Sequence, residues 1–318
     1  MCGTLRVKTL QQLDYFDENY EFVSSYLSLE KGKKVYIGDK SDRVCRYCKK
    51  SSPDVKFRLE AHAIPEFTGN KSLIAFDECD TCNEVFSRVI EDHFGKYLGA
   101  HRTLAQIHGK KGVPKYKSKD KRSNIGLDQD GLKITAREDD PIFEINEETK
   151  SVKITVHRQP YIPAAVFKCL VKMAVAIAPE SLLNELDHLK EWILLEDHTY
   201  DSFPYKPFIV FEQFTPGPRP YPGVSLFLMK RKNEESTVPY LQFVVAFSNT
   251  MFQIVLPMPE QDRHIMGNPI QLMLFPVPFN KDYAYGRSTV RELDMSSFEI
   301  IRNEEHVLYM GYESIEKQ

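Results

Sequence analysis

Cys45-Arg46-Tyr47-Cys48 and Cys79-Asp80-Thr81-Cys82-Asn83, with Lys56-Phe57-Arg58-Leu59-Glu60-Ala61-His62-Ala63-Ile64-Pro65 between them, decide how the N-terminal part of this chain folds. Within each C-x2-C pair one tight turn aims both sulfurs at a single ion, and four thiolates make the tetrahedral set that suits zinc. Thirty residues (49–78) separate the pairs, more than in ordinary two-knuckle modules, so a folded insert is expected between them. Four thiolates from Cys45, Cys48, Cys79 and Cys82 close the coordination sphere, so such a zinc would be structural.

The insert alternates. Phe57, Leu59, Ala61 and Ala63 point one way, Arg58, Glu60 and His62 the other, as in a half-buried strand with a histidine on its polar face. Ile64-Pro65 ends the strand and Gly69-Asn70 reads as a turn. From Asn83 the pattern becomes helical, with Phe86, Ile90, Phe94 and Tyr97 on the buried stripe and His93 drawn into it as a core residue.

This order of elements, a C-x2-C knuckle, a strand bearing His-x-Ile-Pro, Gly-Asn, and a second knuckle running through Asn83 into a helix, resembles the HNH (ββα-metal, His-Me finger) endonuclease family, in its zinc-stapled four-cysteine branch. The resemblance covers roughly residues 43–95. It implies that His62 is the general base that activates water, that Asn83 helps hold a divalent cation, and that Asn70 is the loop asparagine that orients the histidine. The cation would be Mg2+ or Mn2+, and the reaction hydrolysis of a phosphodiester bond in DNA, with the metal as Lewis acid. Many members carry an acid immediately before the histidine, where this chain has Ala61. Glu60, on the His62 face by alternation, is taken as the substitute ligand. Glu91 lies two helical turns past Asn83, about 12 Å along the axis, and Ser87 is a weak ligand. Magnesium tolerates a thin ligand set because it keeps several waters. Ala61 also leaves open a non-catalytic, zinc-stapled nucleic-acid-binding module, or knuckles that only scaffold a protein–protein contact.

The remainder of the 318 residues bounds these readings. Hydrophobic content of 42% and charged content of 27% are those of a globular protein, and a net charge of −3 gives no global signal for nucleic acid. A basic surface would have to be local. Residues 110–122 supply one: Lys110, Lys111, Lys115, Lys117, Lys119, Lys121 and Arg122, against one acid. Phosphates are its natural partners, and Tyr116 is a candidate base-stacking platform; a solvated linker is the other reading. No secretory signal opens the chain, and the apolar stretch from Tyr161 to Pro179 is interrupted by Lys168 and Lys172, so a buried helix is expected rather than a membrane span. An intracellular, cytoplasmic protein follows as the expectation. Of the six cysteines, Cys2 and Cys169 stand outside the pairs, and Cys169 reads as a core residue.

The expected organisation is a lead-in over 1–40 with a strand at Lys34–Ile37, the cysteine module over 41–100, a basic linker over 101–130 and a C-terminal α+β domain over 131–318. The last begins with strands at LKITA, PIFEI and VKITV and continues with two helices broken at Pro179. It closes with FIVFEQF, GVSLFLMKRK, YLQFVVAFSN, MFQIVLPM and IQLMLFPV, whose short connections call for an antiparallel sheet. The fold class is thus α+β: a zinc-stapled ββα module joined to a mainly antiparallel sheet covered by a helical pair. The C-terminal half shows no phosphate loop or nucleophile motif, and by elimination would serve recognition, homo-oligomerisation or the docking of a regulatory protein. The family resemblance adds restriction or phage defence as an expected setting.

Overall fold

Alternation and turn chemistry place most elements where the sequence suggests. The computed structural model describes residues 2–28, 33–109, 112–129, 131–198, 207–268, 270 and 272–312. In chain order they form α1 (Cys2–Asn19), β1 (Tyr20–Leu27), β2 (Val35–Ile37), β3 (Ala61–His62), β4 (Leu73–Ala75) and α2 (Asp80–Phe86), which continues through a π-turn (Ser87–Glu91) into α3 (Asp92–Leu98). Then come α4 (Ala100–Leu104), β5 (Tyr116–Lys117), β6 (Asn124–Asp128), β7 (Gly131–Thr135), β8 (Phe143–Asn146) and β9 (Ser151–His157). The last part holds α5 (Pro163–Ile177), α6 (Glu180–Leu183), α7 (Asp187–Leu194), β10 (Ile209–Phe214), β11 (Tyr221–Arg231), β12 (Leu241–Ser248), β13 (Thr250–Val255), β14 (Thr289–Asp294) and β15 (Glu305–Gly311).

The main sheet runs β1-β11-β12-β13-β10-β14, and every pair in it is antiparallel. β12 is buried on both faces. Leu241, Phe243, Val245 and Phe247 join the core against α5, while Val244 and Ala246 face Phe16 of α1 with Phe275 and Val277. That double burial explains why β12 reads as a continuous apolar run. Two expectations are corrected here. IQLMLFPV is not a strand: its described residues lie across the second face, because Pro276 and Pro278 have no N–H to give to a ladder. The Gln253 side chain meets that segment's backbone instead, accepting from Phe275 N and donating to Met273 O. Conversely, the lead-in supplies β1, whose Tyr20 pairs with Arg231, and the strands β14 and β15 had not been foreseen.

The stretch expected as a linker is also built. Residues 101–128 contain most of α4 and the hairpin β5-β6, which adds β7 to make a three-stranded sheet beside a second one ordered β15-β9-β8. Ile125, Ile142, Ile154 and Val156 form their shared apolar cluster.

All fifteen residues of α5 are buried. The helix packs against the π-turn and α3 on one side and α7 on another, and Phe167 stacks on Phe208 at a centroid distance of 4.8 Å. One apolar cluster runs without a break from the knuckles (Cys45, Cys82, Phe86) through α5 to the sheet (Phe243, Phe252). Such a helix must satisfy its polar groups internally. Arg46, between the first two cysteines, donates to the carbonyls of Val175, Ala176 and Ala178 at the C-terminal end of α5, while its other nitrogens bind Asp77. A cation there meets both the orphan carbonyls and the negative end of the helix dipole. The two lysines that interrupt the apolar run are wholly buried too. Lys168 donates to Leu195 O, and Lys172 reaches into the cysteine module. No helix among the described residues is long and apolar enough to cross a membrane.

Lys172 Nζ lies 3.2 Å from Glu78 and 3.3 Å from Glu91 and donates to the carbonyls of His62 and Ala63. Burial works against the ammonium, yet the two carboxylates hold its pKa above the ordinary lysine value. Of the two acids Glu78 is the deeper, and burial pushes its carboxyl up to about 7. Removing one partner of such a cluster strands the others in the interior. Lys172→Ala should therefore cost about 3–5 kcal/mol in urea unfolding, as for other broken buried ion pairs. The double variant Lys172→Met with Glu78→Gln should recover part of that loss.

Candidate functional site

The four cysteines come together. Their Sγ atoms all lie within 4.8 Å of one another, with Cys45–Cys82 and Cys48–Cys79 both at 3.8 Å. A tetrahedron of Zn–S bonds of about 2.3 Å has an edge of about 3.8 Å, so the sulfur cage fits zinc. The first knuckle is shaped by Cys45 N bonding to Lys50 O and Lys49 N to Cys45 O, with Lys49 at a positive φ of 60°. The second knuckle is the start of α2, where Cys79 is the N-cap residue and its sulfur accepts from Cys82 N. With Cys45 and Cys79 fully buried and Cys82 nearly so, the centre is structural in character.

Between the knuckles the strand is shorter than the alternation suggests. Only Ala61 and His62 pair with β4, His62 opposite Ile74, while Arg58 N and Leu59 N turn to the Asp80 carboxylate. β4 pairs in parallel with β2, so β2-β4-β3 forms a small mixed sheet beside α2. Asn70 is buried in the connection. Its amide donates to Ile64 O and Leu73 O, and its Oδ1 accepts from Ser72 N and Leu73 N. All of its bonds go to backbone: Asn70 fixes the turn and hence the register of β3, and does not touch the imidazole. Gly69 ahead of it has φ +95°, a conformation that favours glycine.

His62 is half-buried. Its carbonyl is held by Lys172, its Nδ1 is shut off from solvent without a partner, and its Nε2 lies 3.8 Å from Glu66 Oε1. Burial lowers the pKa of the ring, with Glu66 and Glu60 pulling the other way. The ring is thus biased toward the neutral form, which can accept a proton. Glu60 is exposed and paired with Lys34, at 2.6 Å. Asn83, on α2, makes no side-chain hydrogen bond among the described residues and is partly exposed. Ala61, where an acid is usual in the family resembled, is 1% exposed and faces the interior. Three or more histidine, cysteine or acid ligands converge among the described residues only at the four cysteines. A second cation near His62 would thus be held thinly and shared with a substrate phosphate, which magnesium permits.

Several neighbours of His62 escaped the sequence reading. Glu66 follows it by four residues across Pro65, so neither strand nor helix periodicity links them. Glu78 and Lys172 are distant in sequence; the only signal was a lysine inside an apolar helix. Glu91 reaches the Lys172 ammonium from the π-turn, and the axial distance from Asn83 did not anticipate that contact. His93, expected in the core, is half-buried, and its Nδ1 accepts from Ile162 N at the start of α5.

The basic segment lies beside the helix that carries the second knuckle. A cleft of about 580 Å³ is lined by Ser87 and Glu91 of the π-turn together with Lys115, Lys117 and Lys121. Lys119 is exposed nearby, and none of these four lysines is in an ion pair among the described residues. Arg122 is paired with Asp120 and Asp139, so its charge is already met. Lys110 and Lys111 lie outside the described residues. Tyr116 lines the same cleft, with its ring partly packed against the Ile125–Ile154 cluster and its hydroxyl accepting from His157 N. β5 turns it inward and the lysines on either side outward.

A zinc-built centre makes a direct expectation. The purified protein should carry one zinc per chain by elemental analysis. Cys79→Ser should lose it and melt well below the wild type, because the knuckles and α5 share one core.

No curated protein and no solved structure matches the chain. Residues 45–98 match the family model described as HNH endonuclease. That match spans both knuckles, the histidine strand and the helix behind them, so this stretch of the chain, with its four-cysteine cluster, is similar to the HNH endonuclease family.

Proposed function

We propose that the module is a metal-dependent endonuclease that hydrolyses phosphodiester bonds in DNA, with His62 as general base. The observation that supports this most is the setting of His62: a half-buried ring biased toward its neutral form, its backbone anchored by Lys172 and its Nε2 facing a carboxylate. Nδ1 is buried, so Nε2 is the nitrogen left for the attacking water. In the forward step His62 Nε2 takes the proton of that water as its oxygen bonds to phosphorus and the P–O3′ bond breaks, the departing 3′ oxygen taking a proton from solvent. Glu66 then stabilises the imidazolium, and the Lys172 bond keeps the strand from shifting as charge develops. Asn83 and Glu60 would hold a Mg2+ or Mn2+ ion: among the described residues the Asn83 amide has no competing partner, and the exposed Lys34–Glu60 pair is of a kind that contributes little and is readily given up. When bound, that ion supplies charge stabilisation at the pentacovalent phosphorus and the leaving 3′ oxygen. Asn70 acts through the backbone, by fixing the turn that sets His62. Lys115, Lys117, Lys119 and Lys121 contact the phosphate backbone, with Lys110, Lys111 and Arg122 as further candidates from the basic run in the sequence, and contribute affinity without sequence preference.

The domain division we favour keeps residues 41–100 as the nuclease module, with 1–40 leading in, 101–130 as the basic segment and 131–318 as a recognition or regulatory unit that also offers surface for a second copy or a protein partner. Thiolates that hold zinc suit a reducing compartment, so the cytoplasm is the setting we favour, and the family resemblance suggests restriction or phage defence. A second reading is favoured by Ala61: with no acid before the histidine, the module would bind nucleic acid without cutting it.

Plasmid DNA incubated with the wild type and Mg2+ or Mn2+ should be cut. His62→Ala of equal zinc content should be slower by about 10²–10⁴-fold, the range for a lost general base. Binding without cutting by both proteins would replace the nuclease reading with the binding module.

A further inference from the structure

The cleft beside the module contains a cation that basic-residue counting passes over. Arg102, in α4, lays its guanidinium on the ring of Phe67, 5.0 Å from the centroid. One glycine leaves it room: a Cβ added at Gly109 would stand 3.0 Å from Nη2. Among the described residues no carboxylate pairs with it and no carbonyl accepts from it, and its Nε is buried without a partner. Burial alone pulls its pKa down to about 10.

Arg102 is the exception among the arginines of the interior. Arg46 binds Asp77 and three carbonyls, Arg158 binds Glu304, Arg231 binds Asp262 and two carbonyls, and half-buried Arg43 donates to Phe57 O. An unpaired, partly desolvated charge is costly and persists where something outside the fold completes it. The surroundings say what that is. The acids on the cleft wall are already met, Asp92 by Lys96 and Glu91 by Lys172, while Lys115, Lys117 and Lys121 are not. The cleft therefore presents an excess of positive charge around a planar fork of donors. That fork matches two oxygens of one phosphate.

We propose that Arg102 is a phosphate-holding residue of the cleft, gripping the backbone of the nucleic acid next to the HNH module and aligning it along the π-turn. This rests on the nuclease reading and adds to it the path that the strand takes.

The test is binding of a labelled DNA duplex by the full chain, without added divalent cation, at several salt concentrations. Arg102→Ala should bind roughly tenfold or more weakly, as expected for a lost hydrogen bond to a charged group. The slope of log K against log salt should fall by about 0.9, one phosphate contact. Arg102→Lys should keep the slope and lose part of the affinity. The melting temperature of Arg102→Ala should not fall below that of the wild type, because no internal partner is stranded. Equal affinity and equal slope for wild type and Arg102→Ala would overturn the assignment and leave the nuclease reading intact. A lower melting temperature with unchanged slope would make Arg102 a packing residue. Absence of binding by the wild type at low salt would remove both the nuclease reading and this assignment.

Discussion

The Lys172 ammonium, buried where the cysteine module meets α5, is the contact on which the arrangement depends. An ion taken out of water must be met on every side, and here it is met by two carboxylates and two carbonyls that belong to β3, the start of the second knuckle and the π-turn. One charge thereby fixes the histidine strand, the helix behind it and α5 in mutual register. Arg46 does the same at the C-terminal end of α5, just beyond Lys172, tying the first knuckle to the helix terminus. The module is clamped to the rest of the chain by two cations facing opposite ways across one interface.

This clamp gives the zinc cage a second role. The four sulfurs set the distance between the two knuckles, and the knuckles carry Arg46 and Glu78 beside their cysteines. Geometry at the sulfur cage is therefore transmitted to α5 and, through the shared core, to the sheet. His62 sits where these constraints meet. Its backbone is held by Lys172 and its strand by Asn70, so little freedom is left except at the ring.

Electrostatically the face around His62 is mixed and the neighbouring cleft is not. Near the histidine, Glu60 and Glu66 oppose the effect of burial on the ring. In the cleft the acids are neutralised by Lys96 and Lys172, and the free charges are cationic. A chain with net charge −3 can thus offer a local positive groove.

The sequence by itself determined whatever depends on short spacing. Two C-x2-C pairs specify the cage, because two residues between ligands leave a turn few other shapes. The stripe Phe86, Ile90, Phe94 and Tyr97 is buried as its period requires, and the apolar-rich runs at 209–214, 221–231, 241–248 and 250–255 are strands. The place of His62 on a strand and of Asn70 in the turn that follows was legible from local pattern. Only the tertiary structure decided what depends on distant partners. Tyr20–Leu27 becomes an edge strand because β11 has a free side for it, and 272–278 loses its strand because prolines cannot complete a ladder while a second face needs cover. The lysines of α5, which read as flaws in an apolar helix, become the links to the module. Arg102 stands out only when its missing partner is seen in space. Residues that meet across 110 positions of chain, as His62 and Lys172 do, leave no periodic trace in either segment, and for that reason their pairing belongs to the fold alone.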